Sequence, residues 1–291
     1  MAADFSVGLV QMRSSTDPWE NLLKVNAFVE EARESGAQLV CFPENVFYRG
    51  PKKNNENSRE ETYLSLDDRN RLREISDFSA ELGVFLRNWQ TWVSLGSVFE
   101  CEPGNDRPFN SHWVISPEGE VFPYRKIHLF DFNAPGGVAY RESEECRPGE
   151  ELRTVDVHGF RLGLSICFDL RFAELYRDLV LKERAEVLLV PAAFTRSTGL
   201  AHWHALLRAR AIENQCFVVA SGQSGIHFNA TGQELACFGN SVAYGPWGDQ
   251  LACLPDDGEG LTVIKLRKSE IADVRARLPA IENARYFRNR Q

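Results

Sequence analysis

Ser165-Ile166-Cys167-Phe168-Asp169-Leu170-Arg171-Phe172 takes an apolar segment straight into a cysteine and then into an amphipathic stretch. Residues 161–166 read as a strand that delivers Cys167. A helix is expected over about 169–182, and 187–190 reads as the next buried strand. His158-Gly159 marks a turn from the strand before. The same logic runs through the first half of the chain. Asp17 is suited to cap a helix, Pro18 to its first position, and Glu20 lies three residues past the cap. Leu22, Val25, Phe28, Val29 and Ala32 share one face of that helix, and Gly36 ends it. Residues 37–42 follow as a buried strand delivering Glu44.

A second helix is expected over about 67–82, with Leu72, Ile75 and Leu82 inward and Gly83 as its stop. Residues 93–99 read as a strand. Segments 112–116 and 120–124 flank Pro117-Glu118-Gly119 as a hairpin that ends beside Lys126. Farther on come a helix over 201–214, a strand over 216–220 and a hairpin of 241–244 with 250–254. A strand over 261–266 and a helix over 268–277 complete the order. Strands alternating with helices, plus several hairpins, indicate an α/β fold of mixed sheet covered by helices. No linker rich in Pro, Gly or Ser divides the chain, so residues 1–291 are expected to form one domain with a tail over about 279–291. The polar stretch 52–62 reads as an exposed loop.

The 291 residues carry a formal charge of -8, with 43% hydrophobic and 25% charged residues. That balance argues against a nucleic-acid partner. No apolar run approaches the roughly 20 residues of a membrane helix, and no signal-peptide pattern opens the chain. Seven cysteines without repeated C-x-x-C spacing suit neither a disulfide framework nor a zinc site. Reduced thiols and a cytoplasmic location are expected. No cluster has metal-ligand spacing, and no phosphate loop or other cofactor motif is present, so no metal or cofactor is expected.

Glu44, Lys126 and Cys167 each stand just past an apolar segment. A thiol nucleophile needs a base to take its proton and a positive charge to hold the oxyanion. A carboxylate and an ammonium fill those roles without a histidine or a metal. A cysteine at a strand-to-helix turn can also aim the next backbone N–H, here that of Phe168, at the oxyanion. Cys41, Cys216, Cys237 and Cys253 read as buried small hydrophobes. His202 and His204 read as packing or capping residues of a helix.

Pro43-Glu44-Asn45, Arg125-Lys126-Ile127-His128-Leu129 and Cys167-Phe168-Asp169-Leu170-Arg171-Phe172 together resemble, in order, the three motifs of the nitrilase superfamily of carbon–nitrogen hydrolases. Gly199-Leu200-Ala201-His202-Trp203, the segment 208–214 and Pro246-Trp247-Gly248 strengthen the resemblance, which runs over residues 5–274. Among its branches the chain is most similar to the Nit-type amidases. The resemblance implies an α-β-β-α four-layer sandwich that pairs into homodimers or larger homo-oligomers through its helical layers. It implies a Glu44–Lys126–Cys167 triad, with Lys126 and the Phe168 N–H holding the oxyanion. A second carboxylate at Glu142 is also implied. Two segments depart from the usual branch pattern, the indole-rich 87–92 and Asn240.

A small linear amide with a free carboxylate is the expected substrate, with Arg171 pairing to that carboxylate or else to Glu174. Tyr48, Phe194 and Thr195 are candidate pocket walls. Nitrile or N-carbamoyl chemistry is the alternative within the superfamily, and a non-catalytic scaffold the alternative outside it.

Overall fold

The computed structural model describes residues 4–50, 60–133, 139–228 and 234–285. Its layers follow from the period-two alternation of a few strands. In the strand Phe5–Gln11, Phe5, Val7 and Leu9 face one core while Val10 faces another. In Leu39–Cys41, Leu39 and Cys41 face the first of these cores, and Val40 and the following Phe42 the second. Phe217 and Val219 of the strand Phe217–Ala220 enter the same core as Phe5, while Val218 and Ala220 point to a third.

Those three cores separate four layers. The helices Pro18–Glu34 and Asp77–Asn88 put Leu22, Val25, Val29, Phe78, Leu82 and Leu86 against the outer face of one sheet. The inner faces of two sheets meet around Leu9, Val114, Leu162, Leu164, Val187 and Val219. The helices Ala173–Leu181 and Arg196–Asn214 cover the far sheet with Tyr176, Leu179, Trp203, Leu207 and Ala211. The α-β-β-α sandwich is therefore present.

The two sheets share a plan. Phe5–Gln11, Leu39–Cys41 and Trp92–Glu100 run parallel at the centre of the first, joined by helical crossovers, with antiparallel strands outside them. Phe160–Leu164, Val187–Leu189 and Phe217–Ala220 do the same in the second. Crossover helices between parallel strands put helix on the outer faces and leave the inner faces to each other.

Local chemistry explains where the expected elements moved. The second helix spans Asp77–Asn88, beginning after a reciprocal cap between Ser76 and Ser79, and not 67–82. Asp67 does accept from two backbone N–H groups, those of Arg69 and Arg71 at 2.9 Å, but these close a turn rather than start a helix. Gly83 lies inside the helix, with its small face buried. The helix expected over 169–182 is broken into a tight turn, Cys167–Arg171, and the helix Ala173–Leu181, with Phe172 extended between them.

Cys41, Cys216 and Cys237 are buried, whereas Cys253 is exposed because it ends the outermost strand Gln250–Cys253. Trp89 of the indole-rich segment is a core residue whose Nε1 donates to Asn26 Oδ1 at 2.9 Å. Of the expected loop over 52–62, residues 52–59 lie outside the described residues, and Glu60–Thr62 forms a 3-10 turn. The end of the tail, 286–291, also lies outside them.

Candidate active site

The strand Leu39–Cys41 ends under Phe42-Pro43, whose carbonyls lie against Gly96. A Cβ at position 96 would stand 2.1 Å from the Phe42 oxygen and 2.6 Å from that of Pro43, so only glycine lets the chain pass. Asn45 then turns with φ 59°, its N–H on Ser97 Oγ at 2.9 Å. That sharp turn aims Glu44 inward, where it is 5% exposed. Its Oε1 accepts from Lys126 Nζ at 2.9 Å and Asn110 Nδ2 at 3.1 Å, and its Oε2 from the Ala193 N–H at 2.9 Å.

Lys126 follows the strand Val121–Arg125 and continues its ladder, donating its N–H to Asn110 O at 2.9 Å. The ammonium is 1% exposed. Besides Glu44 it contacts both oxygens of Glu142, at 2.8 and 3.1 Å. Glu142 opens the short helical turn Glu142–Glu145 and points inward, where Phe130 N–H and Asn110 Nδ2 donate to it at 2.6 and 2.7 Å. Its neighbours Glu144 and Glu145 are exposed.

Cys167 has φ 44°, a left-handed conformation unusual for a residue with a Cβ. Its N–H is taken by Pro191 O at 2.8 Å, which anchors the turn to the strand end beside it. The Phe168 N–H has no acceptor among the described residues and is left available. The thiol lies close enough to Glu44, Lys126 and the Ala193 N–H for each to act on it. Glu44, Lys126, Glu142 and Cys167 thus line one cavity, Glu44 and Lys126 following strands of the first sheet, Glu142 on a short helical turn, and the thiol following a strand of the second sheet.

Charge fixes the proton positions. Burial pushes Glu44 up, but the Lys126 charge and hydrogen bonds from Lys126 and Cys167 outweigh it and hold the carboxylate below its usual value. Burial pulls Lys126 down, yet Glu142, Glu44 and Cys167 hold it well above the ordinary lysine value. The Cys167 thiol is pushed well up by burial and by the Glu44 charge, with Lys126 partly opposing them. At neutral pH the cluster therefore holds a carboxylate, an ammonium and an intact thiol in contact.

A cavity of about 490 Å³ opens on this cluster. Arg171, Tyr48, Phe194 and Thr195 all line it, together with Phe130, Tyr140 and Arg49. Arg171 makes no ion pair with Glu174 or any other carboxylate among the described residues. Its guanidinium lies 5.2 Å from the centre of the Phe194 ring and 3.2 Å from His202 Nδ1. Burial pulls it below its usual value. Thr195 also caps the helix Arg196–Asn214 by accepting from Thr198 N–H. His204 packs away from the thiol, its Nδ1 2.9 Å from the Tyr244 hydroxyl.

Sequence reasoning passed over three supports. Asn110 bridges the two carboxylates through one amide nitrogen. Gln223 Nε2 donates to Glu44 O at 2.9 Å. Asp169, fully buried, ties the turn of Cys167 to the segment after Lys126. Only Asp169 stood in a quoted motif. Among the described residues no group of His, Cys, Asp and Glu has the geometry to hold a metal ion.

The carbon–nitrogen hydrolase family profile matches residues 6–276. A Dictyostelium discoideum protein named deaminated glutathione amidase is 35% identical over 283 residues, covering 95% of this chain and 92% of its own. The crystal structure of Saccharomyces cerevisiae Nit3, described as a member of branch 10 of the nitrilase superfamily, superposes with a TM-score of 0.80. It is 27% identical, with 97% of both chains covered. The Caenorhabditis elegans NitFhit structure gives 0.83 at 33% identity, with 98% of this chain spanning 66% of that longer one. Sequence and fold agree over nearly the whole length, and the chain belongs to the carbon–nitrogen hydrolase family of the nitrilase superfamily.

Proposed function

We propose that the protein is a thiol amidase that cleaves the C–N bond of a small linear amide bearing a free carboxylate. The observation that carries this reading is the contact of Lys126 Nζ with Glu44 at 2.9 Å and Glu142 at 2.8 Å, in a cavity that Cys167 also lines. In this scheme Glu44 takes the Cys167 proton as sulfur attacks the amide carbon. An ammonium has three donors; two are occupied by Glu44 and Glu142, and the third meets the oxyanion with the Phe168 N–H. A donor of this kind contributes about 2.7–4 kcal/mol to the transition state.

As the tetrahedral adduct collapses, the C–N bond breaks and Glu44 returns its proton to the departing nitrogen, leaving a thioester and, from a primary amide, ammonia. Water then gives its proton to Glu44 and attacks the thioester carbonyl. The C–S bond breaks, the acid leaves, and the thiol recovers the proton. Glu142 holds Lys126 in place and keeps it charged. The half-buried guanidinium of Arg171, with no counter-ion among the described residues, is the seat for the substrate carboxylate. Tyr48, Phe194 and Thr195 are read as walls around the acyl chain. The 35% identity to a deaminated glutathione amidase favours an amide over a nitrile or carbamoyl substrate.

The family match over 6–276 supports reading the chain as one catalytic domain, followed by the tail. Exposed Leu200 and Ile212 on the outer helical layer, with exposed Trp247 in the turn whose Gly248 packs on Ile212, support a homodimer formed through that layer. An odd number of cysteines, seven, without disulfide-framework spacing supports a cytoplasmic location. Among the described residues no helix is long and apolar enough to cross a membrane.

The test is ammonia release from omega-amides of 2-oxo dicarboxylic acids, and acid release from deaminated glutathione, in the intact protein and Cys167→Ala. Turnover in the intact protein alone is expected. Turnover by Cys167→Ala removes the thiol mechanism, and turnover of nitriles or carbamoyl compounds in place of amides moves the protein to another activity of the superfamily.

A further inference from the structure

Arg49 lines the same cavity, five residues past Glu44 and outside the three motifs. Its backbone is fixed by a hydrogen bond from its N–H to Ser15 O at 3.1 Å. The Glu44 carboxylate acts on the guanidinium through charge without contacting it in an ion pair among the described residues. The guanidinium acts on the buried Cys237 thiol, which burial raises and the Arg49 charge pulls down. Tyr140 and His227 are close enough to feel its charge, and His227 is held neutral. Its Nε is shielded from solvent and has no hydrogen-bond partner. Among the described residues Arg49 forms no ion pair, and Glu44, the carboxylate that acts on it through charge, is engaged by Lys126, Asn110 and Ala193.

A guanidinium removed from water with unfilled donors is unfavourable unless an anion completes it. Its planar fork matches a carboxylate. Arg171, across a different set of neighbours, has Phe168, Phe194 and His202 around it and, among the described residues, no carboxylate. The chain thus places two unpaired guanidiniums on the walls of one reaction cavity.

We propose that Arg49 is a second anion anchor and a specificity-determining residue, so that the site favours amides carrying two acidic groups over those carrying one. The inference rests on the amidase reading above and adds a requirement that reading does not contain. A competing role for Arg49 is to balance Glu44 and Glu142, which share one ammonium. The two roles differ in what a substitution changes.

The test compares butyramide, glutaramate and N-glutarylglycine, which carry none, one and two carboxylates, in the intact protein, Arg49→Gln and Arg49→Lys. The anchor predicts that Arg49→Gln lowers the preference for N-glutarylglycine over glutaramate by roughly ten- to hundredfold, mostly through KM. Arg49→Lys restores part of it. An equal loss on all three amides, with the acid limb of the pH profile displaced, overturns the anchor and leaves the balancing role. Calorimetry on Cys167→Ala, with and without Arg49→Gln, gives a readout free of turnover. N-glutarylglycine is expected to lose about tenfold more affinity than N-methylglutaramate. Equal losses overturn the anchor even if no amide is hydrolysed, whereas silence in turnover with differential binding overturns the amidase reading alone.

Discussion

Asp169 accepts two hydrogen bonds from His128 on a single oxygen, the backbone N–H at 3.0 Å and ring Nδ1 at 2.7 Å. The other oxygen takes the Tyr124 hydroxyl at 2.8 Å and the Ile166 N–H at 2.9 Å. One buried carboxylate therefore clamps the segment after Lys126 to the turn that carries Cys167, and His128 is held further by stacking on Phe172. Asp169→Asn turns an acceptor into a donor facing N–H groups. It is expected to lower kcat by roughly a hundredfold with KM little changed, and to depress the melting temperature by several degrees, as roughly 1–3 kcal/mol per unsatisfied group implies. Kinetics and a thermal melt on the same preparation check both. Full activity in a destabilised protein would show that the clamp does not position the thiol.

Glu44→Gln separates the state of the thiol from catalysis. The Cys167 thiol is raised first by burial and then by the Glu44 charge, while Lys126 pulls it down. Without that carboxylate Lys126 is less opposed, so the thiol pKa is expected to fall even as turnover drops by roughly a thousandfold. The pH dependence of iodoacetamide alkylation, corrected with Cys167→Ala, measures it. An alkylation midpoint that rises would contradict the charge arrangement.

Asn110 contributes through the two carboxylates it joins. Asn110→Leu keeps the volume and removes the donor at 3.1 Å from Glu44 and 2.7 Å from Glu142. A carboxylate that loses a donor holds its proton more tightly, so the pKa of Glu44 rises. Activity that requires ionised Glu44 fails as pH falls through that pKa. The acid limb of the kcat/KM profile should therefore move to higher pH, with roughly tenfold lower activity on that limb. A profile of unchanged shape would reduce Asn110 to a structural residue.

Stability toward acid should follow His112. It is fully buried between Ser94 Oγ at 2.7 Å and Ser165 O at 3.1 Å. Burial pushes its pKa down from 6.5 to about 4. In the unfolded chain it protonates near the ordinary value, so the unfolded state binds more protons between those limits. Stability is therefore complete above pH 6.5 and declines toward about pH 4, by at most about 1.4 kcal/mol per pH unit from this group. Denaturant melts of intact protein and His112→Gln over that range should differ in slope. Parallel slopes would assign the acid loss elsewhere.

Glu44, Lys126 and Cys167 were legible because each follows an apolar run and so had to lie at the end of a strand. Their supports were not. Asn110 sits in the wholly buried strand Phe109–Ile115, whose polar start looks like a loop, so the strand was placed from 112 onward. Its reason for burial is Glu44, 66 residues away. Gln223 is 179 residues from the same glutamate in sequence. The second helix was displaced because Asp67 offers the same side-chain acceptor to a turn as to a helix start, and Ser76 is the residue that caps one. The break at Phe172 comes from a partner on another strand connection, His128, whose ring centre lies 3.6 Å away. Local signals reached as far as the elements and the reactive groups, and long-range pairing decided the rest.

Glu44 and Lys126 hang from one sheet and Cys167 from the other, with Leu9, Val114, Leu164 and Val219 packed between them. Each sheet can acquire its helices and parallel strands while the thiol and its base are still apart. Catalysis is thus a clock on the last event of folding. In refolding from denaturant, regained turnover should lag behind helical ellipticity and coincide with burial of the intersheet core.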